Sequence, residues 1–495
     1  MRGSPKSEVR GPKSFVFPHV LYFLRVLCAS KESPLAMQRV SVPSVLNDFP
    51  SWRAGRRASS VCLGSALILS VLLLGCGSGS VGGTYSPPAP TPTANTVDIA
   101  VNSGPVFNAF NVPYVSVTVC NPGGTTTCTT IPNVQVDTGS SGLRILASAP
   151  GVSGLALTPV TGSGSSVYEC FQYSDGSYLW GQVEQADVSL AGENGTHVPI
   201  QVVTSGSAPS STPCGMGGGS NLDTPTLLQA NGVLGLGTAQ QDCGLSCTGK
   251  TVLPYYWLCS SDSSCSSVAA VPAATQVSNP VIFFAGDNNG VNLTMSSVGA
   301  TGATTGSGTL TIGIGTQTDN ALSSSAKVFG LSLDTIGGQP FSTILATYPA
   351  TTGKTYPALV DSAEFFNYFL DAKTVAAAPA GVGIANCTTP YAAYYCTSSA
   401  SPVSLPFTAQ DNSSDSAPAS VAIGDGTALL SSSVAKGGGN TAFSNLTGGA
   451  ATAGNDFVIL GMPFFYGRTV YIGIAGQVPP AGVSKSSAAA GYWAF

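Results

Sequence analysis

From about residue 97 onward, apolar and polar positions alternate in short runs separated by Gly- and Asn-containing turns, the period of half-buried strands. Val112 to Cys120 (VPYVSVTVC) alternates from Val115 and turns at Asn121-Pro122-Gly123-Gly124. A second strand puts Val134 and Val136 on one face and runs into Asp137-Thr138-Gly139-Ser140-Ser141-Gly142, so that Asp137 stands at its end. Tyr168 to Tyr173, the turn Ser174-Asp175-Gly176-Ser177, and Trp180-Gly181 followed by Val183, Ala186 and Val188 predict a hairpin with an aromatic near its tip. Asn231 to Gly237 (NGVLGLG) is apolar with Gly at intervals, a pattern suited to close backbone packing in an interior. The same order returns after residue 300. Gly308 to Gly315 opens it, Ala358-Leu359-Val360 runs into Asp361-Ser362-Ala363, and Val458-Ile459-Leu460-Gly461 repeats Val233-Leu234-Gly235. A divergent repeat of roughly 180 to 220 residues predicts an all-β chain of two similar lobes, here 97–295 and 296–495. No long amphipathic helical pattern follows residue 97.

Composition agrees with many short strands: the 495 residues include 60 Gly and 34 Pro, and only 8% are charged. The formal charge of -5 conceals an asymmetry, because ten of the 18 basic residues but only three of the 23 acidic ones precede Cys76. The remainder is acidic with no basic patch, which argues against a nucleic-acid partner. Arg53, Arg56 and Arg57 precede an apolar run, Val61 to Leu74, that ends Leu73-Leu74-Gly75-Cys76. That pattern resembles a bacterial lipoprotein signal, with Cys76 as the lipid acceptor, and the run is short of the roughly 20 residues a membrane span needs. Residues 1–36 read as upstream sequence, with Met37 opening a signal of more usual length, and 77–96 as an uncharged, disordered Gly/Ser and Pro/Thr tether. The expected location is the bacterial cell envelope. Gly77 after Cys76, in place of Asp, points to the outer membrane.

The ten cysteines after Cys76 are an even count in an exported chain and predict disulfides. Sequence proximity suggests Cys120 with Cys128, Cys387 with Cys396, and Cys170 with Cys214. Cys243, Cys247, Cys259 and Cys265 are expected to form two bridges whose pairing stays open. Zinc is the rival for that cluster, but its spacings lack a pair of CxxC knuckles, so no metal is expected.

Two carboxylates on equivalent turns of two similar lobes can meet in the cleft between them. Like charges so close cannot both ionise, so one proton is shared and the pair can hold a water as nucleophile. Asp137-Thr138-Gly139-Ser140-Ser141, the flap-like Gln172-Tyr173-Ser174-Asp175-Gly176-Ser177, Val233-Leu234-Gly235, Asp361-Ser362 and Ile459-Leu460-Gly461 occur in an order that resembles the pepsin-like aspartic proteases. The stretches QVDTGSSGLRIL, NGVLGLG, QDCG and GMPFFYGR, with the ending GYWAF, more closely resemble a family of bacterial exported proteins known only as a domain of unknown function. The pepsin resemblance implies a two-lobed fold with the active-site cleft between the lobes. It also implies Asp137 and Asp361 as the catalytic pair, Ser140 and Gly139 supporting the first carboxylate, Thr138 and Ser362 tying the turns together, and Tyr173 closing over a peptide. No cofactor is implied, and a monomer is expected. The chain departs from that pattern at Ala363, where the family has Gly, at Glu364, which adds a third negative charge, and at Arg144, which stands where the family usually has Trp behind the flap tyrosine.

A Ser-His-Asp hydrolase needs an imidazole, and after Cys76 only His197 remains, in a polar stretch that reads as an exposed turn. No phosphate loop, dinucleotide motif or EF-hand pattern is present. The expectation is therefore an envelope-anchored aspartic endopeptidase with a peptide or protein substrate. The alternative is a lipoprotein of the same fold that has lost the chemistry and binds peptides or envelope components in its cleft.

Overall fold

The computed structural model describes residues 95–495 apart from 125, 174, 213, 215–218, 253–254, 337–338, 351–352, 377–383, 398–400, 412–414 and 450–456. Cys76, the signal and nearly all of the expected tether lie outside the described residues. Asn95 is buried and the first strand, Thr96–Val101, already includes the last tether position.

The strand Pro113–Cys120 buries Val115, Val117 and Val119 and turns Ser116 and Thr118 outward. Its antiparallel partner Cys128–Asp137 buries Ile131, Val134 and Val136, and Thr118 and Thr130 exchange a 2.8 Å hydroxyl bond on the outer face. Past Asp137 the chain turns back as Ser141–Leu146, which is buried throughout. Gly232–Leu236 lies between the two arms of that turn, parallel to the Asp137 strand and antiparallel to Ser141–Leu146. Gly235 therefore faces Asp137 on one side and Gly142 on the other. A Cβ at Gly235 would stand 2.7 Å from the carbonyl carbon of Ser141 and 2.8 Å from the amide of Gly142, backbone that cannot step aside. The apolar-Gly pattern is thus a requirement of three strands crowding around one carboxylate.

The second half repeats the arrangement. Lys354–Val360 delivers Asp361 and runs parallel to Val458–Leu460, which in turn pairs antiparallel with Asn367–Phe369 through Tyr368 and Ile459. A Cβ on Gly461 would meet the carbonyl oxygens of Phe366 and Glu364 at 2.1 and 2.6 Å. The architecture is all-β and two-lobed, with the two Asp turns brought together. The helices among the described residues run to six residues at most.

The interval around residue 295 where the repeat divides holds a strand of a shared sheet. Gly290–Met295 pairs with Gly306–Ile312 and with Thr469–Gly473, while Gly306–Ile312 also pairs with Thr96–Val101. Strands from the start, middle and end of the folded chain thus join the halves. The strand that delivers Asp361 lies in a separate sheet, so the two Asp turns meet through side chains and not through one backbone ladder.

All ten cysteines after Cys76 are bridged: 120–128, 170–214, 243–247, 259–265 and 387–396. The open pairing resolves into two local staples, so these thiols offer no zinc site. The bridges close loops of very different length, 44 residues for Cys170–Cys214 against four to nine for the others. Loop-closure entropy then predicts a cost of about 4 kcal/mol for replacing Cys170 and Cys214 by Ala together, against about 2 to 3 kcal/mol for each other pair. Urea unfolding of the five double variants measures that ranking.

Candidate active site

The two Asp turns are interlocked through their second residues. Thr138 donates its hydroxyl to Val360 O (3.1 Å) and its amide to Ser362 Oγ (3.2 Å). Ser362 donates its hydroxyl to Val136 O (2.7 Å) and its amide to Thr138 Oγ1 (2.9 Å). Each hydroxyl thus donates to the opposite lobe's strand and accepts from the opposite lobe's turn, a reciprocal set that only short hydroxyl side chains can complete. Both residues are buried, so breaking the set leaves unsatisfied polar groups in the interior.

The carboxyl groups meet above this lock. Asp361 lies directly over the first turn: a Cβ added to Gly139 would stand 2.4 Å from its Oδ2. Glycine at 139 is what admits the second carboxyl group. Asp137 Oδ1 accepts from the amides of Gly139 (2.8 Å) and Ser140 (3.0 Å), and its Oδ2 accepts from the Ser140 hydroxyl at 2.5 Å. Asp361 Oδ1 accepts from the amide of Ala363 at 2.8 Å, the same length as the bond from Gly139, so the methyl of Ala363 leaves this contact of the second turn unchanged.

The difference between the turns comes one residue later. Where the first has the Ser140 hydroxyl donating to Asp137, the second has the side chain of a further acid, Glu364. Burial and then the charge of Asp137 push Asp361 up to about 8. Burial also raises Asp137, but the Ser140 hydroxyl, the two amides and the charge of Arg144 all pull against it. The donors therefore favour negative charge on Asp137 and the shared proton on Asp361, as parts of one coupled pair. Glu364 is itself held well above the usual carboxylate range by burial and by Asp361, Asp175 and Asp137.

Tyr173 stands at the end of the hairpin formed by Ser165–Gln172 and Tyr178–Leu190. Its amide donates to Ser177 O (2.8 Å) and its carbonyl accepts from Gly176 (3.0 Å), while Asp175 accepts from the amide and hydroxyl of Ser177 (2.9 and 2.6 Å). Its ring packs edge-on against Phe171, with centroids 5.0 Å apart. Burial and the charge of Asp137 hold its hydroxyl protonated, with a smaller contribution from Asp361. Gln172, Tyr173 and Asp175 line one cleft together with Asp137, Gly139, Ser140, Asp361 and Glu364. Phe171, Leu222, Leu228, Phe341, Phe365, Phe366, Tyr368, Phe457 and Ile459 give it apolar walls, and among the described residues no basic side chain lines it. The sequence reading missed this aromatic wall, although Phe365-Phe366 directly after Glu364 was its available signal. His197 is exposed, as expected, but it sits inside the strand Glu193–Val203 at a φ of 53° and not in a turn, and it is absent from the cleft lining.

Several carboxyl groups here are raised in the folded state, so the fold binds protons that the unfolded chain releases near pH 4. Their contribution to stability is complete below that pH and is lost as pH rises through the raised values, about 8 for Asp361. The thermal midpoint should accordingly fall from pH 5 to pH 8, and Asp361→Asn should flatten that fall. Calorimetry at a series of pH values measures both.

No curated protein matches the chain. Among solved structures, an aspartic proteinase from Irpex lacteus is similar at 15% identity, over 81% of this chain and 96% of that one, with a TM-score of 0.41. Residues 91–495, the whole of the described fold, match the family described as "Protein of unknown function (DUF3443)", and the chain belongs to that family.

Proposed function

We propose that the protein is a pepsin-like aspartic endopeptidase acting on peptide segments with large apolar side chains. The observation that carries this reading is the interlocked pair of buried Asp137 and half-buried Asp361, whose donors favour one charge and one proton. In the proposed reaction a water held between the carboxyl groups gives a proton to ionised Asp137 as it attacks the peptide carbonyl carbon. Asp361 donates its proton towards the carbonyl oxygen, forming a tetrahedral diol. Collapse of the diol transfers a proton to the leaving nitrogen and returns the pair to its starting charge. Tyr173 and the apolar walls exclude bulk water and hold the chain extended across the pair, which strengthens each of these electrostatic steps.

Cleavage of a peptide library by the purified full chain in detergent should trace a bell against pH, with limbs that belong to the pair. Asp137→Asn should reduce cleavage to background while the melting transition stays cooperative, since amide and carboxylate have nearly the same shape. Glu364→Ser removes a neighbouring acid and restores a hydroxyl donor. It should lower the pKa of Asp361 and so move the alkaline limb to lower pH. Absence of cleavage at every pH by a folded protein would instead favour a peptide-binding role for the same cleft.

We further propose anchoring to the envelope, in the outer membrane, through lipidated Cys76. One acyl chain holds only weakly, so stable attachment takes several chains. Radiolabelled fatty acid should be incorporated by the wild type and lost in Cys76→Ala, and persistent labelling in the variant would refute the assignment.

A further inference from the structure

Behind the hairpin lies a second group of ionisable side chains that the proposed reaction does not use. Arg144, on Ser141–Leu146, Glu169, on Ser165–Gln172, and Asp242, beside the Cys243–Cys247 bridge, have no exposed side-chain surface. Arg144 Nη2 donates to Glu169 Oε1 at 2.7 Å and to Asp242 Oδ2 at 3.4 Å, so two carboxyl groups converge on one nitrogen. Asp242 Oδ1 accepts from the Tyr256 hydroxyl (2.6 Å) and the Cys243 amide (2.8 Å). Glu169 Oε2 is buried without a partner among the described residues.

One guanidinium cannot neutralise two buried carboxylates, and an orphaned carboxylate oxygen in such a place is costly. A single proton shared between Asp242 and Glu169 would settle both problems: it would give the unpartnered carboxylate oxygen a donor and leave the trio with no net charge. Burial and then Glu169 hold Asp242 well above the usual carboxylate range, which agrees with this placement. The other ionisable groups facing the trio are the Tyr255 and Tyr256 phenols and, towards the cleft, Tyr173 and Asp137.

Arg144 also touches both the Asp137 turn and the hairpin. Its Nη1 donates to Ser141 O, at the exit of the Asp137 turn, at 3.0 Å. Its guanidinium lies 3.8 Å from the centroid of Phe171, the ring against which Tyr173 packs. We propose that Arg144, Glu169 and Asp242 form a charge-neutral latch closed by one shared proton, and that this latch positions Tyr173 over Asp137 in acid and loosens when the proton leaves. The proposal rests on reading the Asp137 cleft as a catalytic or binding site, but its test does not require turnover.

The test is amide hydrogen exchange of residues 171–178 in the full chain in detergent from pH 5 to 8, corrected for the intrinsic pH dependence of exchange. In the wild type, protection of this segment should fall about tenfold per pH unit once the latch opens, the slope of a one-proton step. In Asp242→Asn the amide donates to Glu169 at every pH, so protection should stay flat across the range. Arg144→Gln should lose protection even in acid. Infrared spectra at pH 6 should show one fewer protonated carboxyl group in Asp242→Asn than in the wild type. A wild-type profile independent of pH, or the same sloping profile in Asp242→Asn, would overturn the latch. The wild-type titration alone suffices if a variant fails to fold. Sloping protection without peptide cleavage would sink the enzymatic reading and leave the latch standing, while cleavage with flat protection would do the reverse.

Discussion

Two carboxyl groups packed face to face cannot both carry charge, and much of this molecule is arranged to impose that constraint. Repulsion between Asp137 and Asp361 would drive the turns apart if the backbone were free to yield. The four hydrogen bonds made by Thr138 and Ser362 hold the turns together from below, and a sheet with strands from both halves joins the halves. With the geometry fixed, the electrostatic conflict is relieved by retaining a proton. A retained proton beside an ionised partner is what general acid and base chemistry on one bond requires.

The pair is made unequal by a single residue position. The Ser140 hydroxyl stabilises charge on Asp137, whereas Glu364, one turn over, adds a further acid beside Asp361. A more symmetric pair would leave the proton's position undecided. Here the donors favour charge on Asp137 and the proton on Asp361. The cost is an accumulation of acidic groups in one cleft, which links the stability of the fold to the protons it keeps.

The buried trio of Arg144, Glu169 and Asp242 obeys the same rule at a second place. A cation has entered a layer behind the hairpin that an aromatic side chain could fill, and its charge is balanced by acids from two other segments. Stacking on Phe171 and bonding to Ser141 O make the guanidinium a bridge between the Asp137 turn and the hairpin. Charge balance and hairpin position are thereby coupled through one side chain.

Much of the plan was legible in the chain by itself. Alternation of Val134 and Val136 before Asp137, the return of Leu359-Val360 before Asp361, and the Gly pattern at 235 and 461 are local signals, because strand period and backbone crowding act on neighbours in sequence. Three disulfide pairings followed from proximity, while the four clustered cysteines could be sorted only by seeing which were brought together. Arg144 read as the loss of an indole, and nothing near it announced Glu169 or Asp242, which lie 25 and 98 residues away. Of the aromatic wall only Phe365-Phe366 stood beside a cleft acid in sequence, and Ser140 and Glu364 marked the two turns as different without showing which carboxyl group would hold the proton. Residue identity and period determined which groups the turns would present. Burial and the count of hydrogen-bond donors around each carboxyl group, which depend on segments distant in sequence, decided where the proton would sit.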